Sequence, residues 1–263
     1  ARTTSSRFPN KVLKKINNLT IIEILIGRLR KSKLINNLIV AIPDKRSNFP
    51  LKNLFLKKKI NFFLGDEDDV LDRYYNAAKT IQADTIVRIT GDCPLVDPIL
   101  IDEMIDFYVS NNFDYVSNVD PPTFPDGLDV EIFSLKSLSE CWKKAKTRFQ
   151  REHVTPFIRE TKTFKKHNYR NTSDYSRFRL TLDEYEDFEN IKKVFVCFYP
   201  KIDFSWKEII KAQEQNKLSL FNVKNKRNEG STMNKGSKLW KRAKNIIPGG
   251  NMLLTKRPEM FLP

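Results

Sequence analysis

The stretch from Thr85 to Pro98 limits the possible folds more than any other part of the chain. It begins with a short run of strand-forming residues, Ile86 to Ile89, which stops at Gly91, and Asp92 follows directly. Pro98 then opens an amphipathic segment typical of a helix. Ligands bind at the carboxyl ends of the strands in open α/β sheets, so Asp92 is well placed to hold a metal ion or to orient a hydroxyl. The alternative is a Gly-Asp turn that only caps the next helix.

Short apolar runs alternate with amphipathic segments along the chain as far as residue 215. Besides the run at 86–89, strands are predicted at 37–42, 61–64, 114–118 and 178–182. Helices are predicted at 21–31, 70–83, 98–111, 134–146 and 204–215, the first of them behind a Thr20-x-x-Glu23 capping box. Strands that alternate with helices of this length indicate βαβ units. We therefore expect an α/β fold with a mainly parallel sheet.

Length and composition limit the class of protein. The 263 residues suit one α/β domain of about 200–250 residues with a further segment. No apolar run approaches the ~20 residues of a membrane span, and the polar, basic start of the chain does not resemble a signal peptide. We therefore expect a cytoplasmic protein with no membrane partner. The net charge of +15 favours an anionic partner, but the usual nucleic-acid motifs are missing, so solvated basic faces are favoured over nucleic-acid binding.

The cysteines and histidines of the chain do not form a metal-binding pattern. Cys93, Cys141 and Cys197 lie far apart in the sequence, and His153 and His167 are the histidines beside them. This spacing does not suit zinc. Buried or free thiols in a reducing cytosol are the simpler interpretation.

Residues 1–11 form a polar loop that is rich in hydroxyl groups and contains Arg2, Arg7 and Lys11. Arginine grips phosphate oxygens with two nitrogens and lysine binds them as a point charge, so the loop suits a phosphate ligand. The alternative is a disordered basic terminus. The chain begins without Met, and such a loop follows a strand in an α/β fold. We therefore expect that the first strand of the domain is missing.

A second carboxylate follows the predicted strand at 178–182, because Asp183 comes directly after Leu182. Asp92 and Asp183 on neighbouring strands can share Mg²⁺, which prefers oxygen ligands. The acidic residues after Asp183, and the acidic run at 66–69, also suit helix N-termini, where the helix dipole favours negative charge. Arg73 projects from the first turn of the helix at 70–83 and can reach a ligand in the same cleft.

Two further groups of residues stand out between positions 126 and 153. Asp126 and Gly127 form a turn that leads into a strand. Arg151 and His153, which flank Glu152, lie near the start of a predicted helix and can contact a polyhydroxylated ligand. A surface or structural network is the more common role of such a trio.

With these residues identified, residues 1–221 resemble the cytidylyltransferases that activate acidic sugars, the acylneuraminate and 3-deoxy-octulosonate group. The spore-coat polysaccharide biosynthesis type is the most similar branch. The motifs that carry the resemblance occur in the family's order: Ala1-Arg2-x-x-Ser5-x-Arg7-x-Pro9-x-Lys11, Arg88-Ile-Thr-Gly91-Asp92-Cys93-Pro94, Tyr115-Val-Ser-Asn118, Pro125-Asp-Gly-Leu-Asp-Val-Glu131, Arg151-Glu-His-Val-Thr-Pro156 and Leu180-Thr-Leu-Asp183. Each motif is weak alone, and the combination is specific.

The resemblance implies a Rossmann-like nucleotide-diphospho-sugar transferase fold of the glycosyltransferase-A type. In this family the N-terminal loop wraps the phosphates of CTP, so Arg2, Arg7 and Lys11 would be the cationic catalytic contacts. Asp92, also catalytic, would match the first ligand of Mg²⁺, and Asp183 would match the second.

The resemblance also implies a substrate and a reaction. Asp126, Gly127, Arg151 and His153 would lie on the sugar side of the site. The enzyme would join CTP to an acidic, nonulosonic-type sugar, release pyrophosphate and supply a CMP-sugar for surface polysaccharide. A homodimer is the usual assembly in the resembling family.

Some residues depart from the family's pattern. Thr4 and Asn10 stand where relatives often have Gly, which bears on the backbone geometry of the N-terminal loop. Tyr185 replaces a Pro that relatives often carry. Two other functions stay open. A glycosyltransferase that uses a nucleotide sugar would usually have an Asp-x-Asp pair, whereas Asp92 is followed by Cys-Pro. A chain without its first strand could also be a non-catalytic fragment.

The last part of the chain has a different character. Residues 222–236 form a polar linker, and residues 237–263 resemble the start of a class III pyridoxal-phosphate aminotransferase of the glutamate-1-semialdehyde aminomutase kind. The lysine that binds pyridoxal phosphate in that family would lie downstream, so the cofactor is expected only with the absent remainder. The segment is either a fusion or a second reading frame that begins at Met233.

Overall fold

The computed structural model describes residues 1–5 and 7–220. The predicted linker at 222–236 and the aminotransferase-like segment at 237–263 lie outside the described residues. No helix in the described part of the chain is long and apolar enough to cross a membrane. The helices are α1 (Ile21–Leu29), α2 (Phe49–Lys58), α3 (Val70–Thr80), α4 (Pro98–Ser110), α5 (Leu135–Lys144), α6 (Arg148–His153), α7 (Pro156–Glu160), α8 (Tyr185–Phe198) and α9 (Trp206–Glu214).

The described strands form small sheets that differ in strand direction. The strands are β1 (Lys15–Ile16), β2 (Leu19–Thr20), β3 (Val40–Pro43), β4 (Phe62–Gly65), β5 (Thr85–Arg88), β6 (Tyr115–Ser117), β7 (Glu131–Ser134) and β8 (Lys166–Asn168). Strands β3 and β4 pair in parallel, and the four-stranded sheet has the order β5-β7-β6-β8. The α/β class is confirmed. The expectation of a mainly parallel sheet is wrong, because β7 runs antiparallel to both of its neighbours.

The predicted strand at 178–182 is an extended segment whose backbone bonds to loops. Phe178 O accepts a hydrogen bond from Asp126 N at 2.9 Å, and Leu182 N donates to Asp92 O at 2.8 Å. Only an isolated bridge between Asp126 and Arg179 has strand-like pairing. The prediction of a strand at 178–182 is therefore wrong. The segment nevertheless joins the loop after β5 to the turn at Asp126.

Both faces of the four-stranded sheet are covered by apolar side chains. On one face Val116 and Ile132 pack in a cluster with side chains of α1 and α4. On the other face Tyr115 and Phe133 pack in a cluster with side chains of α3 and α5. Neighbouring residues along β6 and β7 thus point into different clusters, as the period of two in a strand requires. A sheet buried on both faces is typical of α/β proteins.

Two charged residues fix the loop that follows β5. The buried guanidinium of Arg28 donates hydrogen bonds at 2.8 Å to three carbonyls, those of Val96, Ile202 and Phe204. The Asp97 carboxylate caps α4 and accepts a bond from Trp206 N at 2.8 Å. The predicted Thr20-x-x-Glu23 capping box, which starts α1, is confirmed. These contacts hold α1, the loop and the segment before α9 together, so the position of the loop is set by distant parts of the chain.

Candidate active site

The two strand-end carboxylates predicted from the sequence meet at one lysine. Lys11 Nζ donates to Asp183 Oδ1 at 3.0 Å and lies 3.5 Å from Asp92 Oδ2. It also donates to Leu182 O at 2.6 Å, and the residue is only 9% exposed. We call Lys11, Asp92 and Asp183 the Lys11 cluster. Asp92 and Asp183 keep 33% and 21% of their side-chain surface exposed, so their oxygens stay accessible to a ligand.

Local contacts hold Asp92 in its ionised form. The Thr90 hydroxyl donates to Asp92 Oδ1 at 2.5 Å. Burial raises the pKa of Asp92, but the positive charge of Lys11 and the Thr90 hydroxyl outweigh it, and the pKa lies below its usual range. The Asp92 carbonyl accepts bonds from Leu182 N at 2.8 Å and from Thr181 Oγ1 at 3.1 Å. A negative charge is therefore held in place beside Asp183.

The N-terminal loop is anchored rather than free. Thr3 N donates to Asn48 Oδ1 at 3.0 Å, and Asn10 N donates to Thr3 O at 3.0 Å. Asn10 has φ of 57°, in the left-handed region that glycine favours and asparagine tolerates better than most residues. Asn10 can therefore take the place of the glycine that relatives often carry. The loop closes at this residue and delivers Lys11 to its cluster.

Arg2 and Arg7, the two arginines of this loop, are both exposed. Arg7 NH2 lies 3.2 Å from Asp183 Oδ1, and Arg7 NH1 lies 3.8 Å from Glu184 Oε1. The Arg7 side chain is 43% exposed, so it is free to turn toward an anionic ligand. Arg2 lies close enough to Arg73 to act on it electrostatically, since burial chiefly, and Arg2 as a smaller cause, lower the pKa of Arg73.

Arg73 lies beneath the acidic loop at 66–69. It is 4% exposed, and its NH1 group donates to the Asp66 carbonyl and, at 3.3 Å, to the Glu67 carbonyl. Its Nε atom is buried without a hydrogen-bond partner in the part of the chain that the structure describes. The structure therefore places Arg73 as a support of this loop and as a buried positive charge near Ala1 and Arg2.

A residue that sequence reasoning missed connects the predicted sugar-side turn with Asp183. Arg179 donates through NH1 to Asp126 Oδ2 at 2.8 Å and through Nε to Asp187 Oδ1 at 2.8 Å. Its NH2 group lies 3.4 Å from Asp183 Oδ2. Its contact with Asp126 has no local sequence signal, because Asp126 is 53 residues away. Asp183 thus receives positive charge from Lys11 on one oxygen and from Arg179 on the other.

Gly127 allows the turn to lie against the extended segment. Its φ is +100°, and an added Cβ would lie 2.5 Å from both the Leu180 carbonyl carbon and the Thr181 nitrogen. No side chain fits there, because both atoms belong to the backbone. The structure therefore explains Gly127 by close backbone approach. Its contact with a sugar stays a prediction.

Comparisons with known proteins agree with this geometry. Residues 1–227 match the family described as cytidylyltransferase. The chain belongs to the cytidylyltransferase family. An uncharacterised protein of Methanocaldococcus jannaschii is 44% identical over 192 residues, which are 72% of this chain and 78% of the relative. The spore coat polysaccharide biosynthesis protein SpsF of Bacillus subtilis is 31% identical over 223 residues, 82% of this chain and 92% of the relative.

A solved structure supports the fold of this cytidylyltransferase. A cytidylyltransferase from Leptospira borgpetersenii serovar Hardjo-bovis is 33% identical and similar in structure, with a TM-score of 0.78 over 82% of this chain and 92% of that chain. The predicted family and nucleotidyltransferase class are confirmed. The aminotransferase resemblance of residues 237–263 stays a prediction.

The remaining candidate residues of the cytidylyltransferase, Arg151 and His153, make other contacts. Arg151 binds the Asp69 carboxylate through Nε at 2.9 Å and NH2 at 2.5 Å, and its NH1 donates to Trp142 O at 2.7 Å. This is the structural network that the sequence left open as the alternative for Arg151. The His153 ring lies 4.8 Å from the Phe149 ring, and burial lowers the pKa of His153 below its usual range.

Glu131 is a buried acid whose oxygens are paired with other side chains of the fold. Glu131 Oε1 accepts bonds from Tyr115 OH and Thr155 Oγ1, both at 2.6 Å, while Oε2 pairs with Arg88. We call these four residues the Glu131 cluster. Arg88 lies directly opposite Glu131 in the β5–β7 register. Burial raises the pKa of Glu131, but Arg88 and the two hydroxyls outweigh it and lower the pKa below its usual range.

The donors that could hold a metal are the two carboxylates of the Lys11 cluster. In the residues that the structure describes, no group of three or more His, Cys, Asp or Glu side chains is arranged to hold a metal ion. Two oxygen ligands nevertheless suit Mg²⁺, which keeps several waters and binds substrate phosphates. The Lys11 ammonium beside both carboxylates shows that a positive charge is accommodated between them.

Proposed function

We propose that this cytidylyltransferase activates an acidic, nonulosonic-type sugar with CTP, giving a CMP-sugar and pyrophosphate for surface polysaccharide biosynthesis. The observation that carries the proposal is the Lys11 cluster, in which a buried lysine joins two acids at the base of a cationic loop. The role in polysaccharide biosynthesis is supported by the similarity to SpsF. The cationic loop and the family together support CTP as the nucleotide.

In the proposed reaction a hydroxyl of the sugar attacks the α-phosphorus of CTP. A bond forms between that oxygen and the α-phosphorus, the bond from the α-phosphorus to the bridging oxygen breaks, pyrophosphate leaves with that oxygen, and the hydroxyl proton passes to solvent. The protein's contribution is positioning and charge neutralisation. Arg2, Arg7 and Lys11 would bind the phosphates and stabilise the leaving pyrophosphate, and the exposed Arg7 side chain suits this task.

Asp92 and Asp183 are the residues that would hold Mg²⁺. Bound there, the ion would neutralise phosphate charge. Thr90 and Lys11 keep Asp92 ionised, and Arg179 together with Lys11 orients Asp183. The two carboxylates are therefore held ready for a cation by the protein itself.

The sugar is proposed to lie beside Asp126, with Gly127, Arg151 and His153 as the other members of that side. The Asp126 carboxylate is oriented by Arg179 and can accept hydrogen bonds from sugar hydroxyls. Arg73 adds a buried positive charge that suits an anionic substrate. CTP and the sugar are proposed to meet the enzyme in the cytoplasm, with a homodimer as the assembly that gel filtration would check.

The test is pyrophosphate release with Mg²⁺ and CTP, UTP, GTP or ATP against a panel of acidic sugars and their neutral analogues. We expect release with CTP and one acidic sugar. Equal release with UTP or ATP would overturn the choice of nucleotide, and activity confined to neutral sugars would overturn the substrate class. Transfer of sugar from a nucleotide sugar to an acceptor, with no pyrophosphate, would favour the glycosyltransferase alternative.

A further inference from the structure

The turn between α6 and α7 contains a residue in a rare backbone conformation. Val154 has φ of 70° and ψ of −60°. A β-branched residue at positive φ is a genuine outlier. Among the described non-glycine residues with positive φ, four are asparagines, and Val154 is the one that is β-branched. The backbone at Val154 is therefore strained.

A hydrogen bond across Val154 identifies the type of turn. Thr155 N donates to the His153 carbonyl at 2.8 Å, which closes a turn of three residues. Together with the two angles at Val154, this bond defines a γ-turn of positive φ, a type that is rare and strained in proteins. Glycine would adopt the same backbone at little steric cost. The connection between the two helices therefore does not by itself require a valine.

Thr155, the next residue, also has an unfavourable conformation. It has φ of −97° and ψ of −6°, and it precedes Pro156. A residue before proline is pushed toward extended angles, because the proline ring clashes with its backbone in the helical region. Two successive residues of one turn are thus held away from their preferred angles. Such strain persists only where the surroundings hold it in place, and it is concentrated at functional sites.

Two contacts hold the turn in this conformation. The Val154 side chain is 0% exposed and packs in the cluster that contains Leu138 and Ile158. The Thr155 hydroxyl donates to the buried Glu131 carboxylate at 2.6 Å. The Glu131 cluster therefore stabilises a turn that is unfavourable on its own.

His153 is the side chain whose direction this turn determines. It is the last residue of α6, directly before Val154, and it is only partly buried. Its ring lies against the Phe149 ring, with the centroids 4.8 Å apart. Arg88 and Arg2 are near enough to act on it electrostatically. A small rotation of the turn would move the imidazole relative to these groups.

We propose that Val154 is a positioning residue, whose buried side chain locks the strained turn and so fixes the direction in which His153 meets the sugar. The inference rests on the proposed contact of His153 with the acidic sugar. Glycine at this position would release the strain but would allow several backbone conformations. Valine holds one conformation, because its side chain is packed in the core. The imidazole is thus held in one direction by a turn that lowers the stability of the protein.

The first experiment measures the strain by comparing the thermal unfolding of Val154→Gly and Val154→Ala. Both changes remove the two buried methyl groups of valine, and only the change to glycine also removes Cβ. We expect the glycine variant to have the higher Tm, by roughly 2–6 °C, because alanine is destabilising where φ is positive. A higher Tm for the alanine variant would overturn the proposal, because the turn would then not be strained.

The second experiment measures pyrophosphate release by the same variants with Mg²⁺, CTP and the acidic sugar of the panel that supports release. We expect Val154→Gly to lower kcat/KM for the sugar by about 10–100-fold, because a displaced side chain loses its productive geometry, and to leave KM for CTP unchanged. Val154→Ala should lose less, although it is the less stable variant. A purely structural role predicts the opposite order, and that result would overturn the proposal.

The control for a loosened backbone is Lys146→Gly. Lys146 is exposed and lies in the loop between α5 and α6, at the other end of the helix that carries His153. This variant should keep the kinetics of the unchanged protein for both substrates. A loss of sugar kinetics equal to that of Val154→Gly would overturn the specific role of Val154.

A double variant tests whether Val154 acts through His153. We expect His153→Ala to lower kcat/KM for the sugar by a similar factor, and the addition of Val154→Gly to cause no further loss. A further loss of about tenfold would overturn the proposal, because Val154 would then act on another group. Normal sugar kinetics in His153→Ala would overturn the proposed sugar contact of His153 and, with it, the role of Val154. A loss in His153→Ala with normal kinetics in Val154→Gly would overturn the role of Val154 alone.

Discussion

The Lys11 cluster and the Glu131 cluster both contain buried charge, yet they differ in how completely the protein satisfies it. Glu131 is paired with Arg88 and accepts two further bonds from hydroxyls, with 6% of its side chain exposed. Asp92 and Asp183 share a lysine and remain 33% and 21% exposed. The first arrangement is closed, and the second leaves carboxylate oxygens accessible to a ligand.

The difference shows that a shifted pKa does not by itself mark an active site. The pKa values of Glu131 and Asp92 are lowered for the same reasons, a nearby cation and hydrogen bonds that outweigh burial. What separates them is access and the type of cation. Arg88 lies within the β5–β7 register, whereas Lys11 is a point charge that anchors a loop rich in further cations.

The largest effect is expected from Glu131→Gln, which tests the Glu131 cluster. The change keeps the shape of the side chain and leaves the Arg88 charge buried without its acid. Breaking a buried pair in this way costs about 3–5 kcal/mol, which would lower the Tm by roughly 6–20 °C. Thermal unfolding measures it. A Tm shift below that range, with lost catalysis, would mean that Glu131 belongs to the open site instead.

Asp92→Asn tests the Lys11 cluster, where we expect the change to impair catalysis more than stability. We expect kcat to fall by about 10²–10³-fold, because one preorganised electrostatic partner is lost, while the Tm stays within a few degrees. Pyrophosphate release and thermal unfolding measure the two quantities. Asp174→Asn, a change at an exposed surface acid, serves as the control. Near-normal turnover by the Asp92 variant would contradict the assignment of Asp92 as a metal ligand.

Arg179→Gln tests whether the orientation of Asp183 matters for metal binding, because Arg179 connects Asp183 to Asp126 and Asp187. We expect Mg²⁺ affinity to fall by roughly 10–100-fold, as is typical when a residue that orients a metal ligand is lost. Calorimetric titration with Mg²⁺ measures it without any substrate.

Arg177→Gln is the matched control, because Arg177 is exposed and stacks on the Phe178 ring, 4.8 Å from its centroid. Unchanged Mg²⁺ affinity in the Arg179 variant, together with a lower Tm, would show that Arg179 is purely structural.

The smallest effect is expected in the pH dependence of stability. The folded-state pKa of Glu131 lies below its ordinary value of 4.5. Its contribution is therefore fully present above pH 4.5 and is lost as the pH falls through the folded-state pKa. Each tenfold difference in proton affinity between the folded and unfolded states corresponds to about 1.4 kcal/mol. Urea unfolding between pH 3 and 7 measures it. Glu131→Gln should flatten the acid side of the curve, and parallel curves would contradict the prediction.

Several features could be predicted from the sequence because they depend on neighbouring residues. The capping box of α1 needs two residues three positions apart, and the helix that begins at Pro98 follows a local apolar pattern. Asp92 and Asp183 were found because each lies just after the end of a predicted strand. The family also followed from motifs in their order along the chain, and it was confirmed.

The tertiary structure decided which charges meet and in which direction the strands run. Lys11 joins Asp183 across 172 residues, and Arg151 binds Asp69 across 82. Such pairs have no local signal in the sequence, because a charged residue that pairs with a distant partner has the same local sequence pattern as one that faces solvent. Likewise, the apolar run before Pro43 specifies a strand, but only a partner in space decides how far it extends. The sequence determined which charged residues the site contains. The fold determined which carboxylates remain exposed to a ligand, because exposure depends on packing between distant segments.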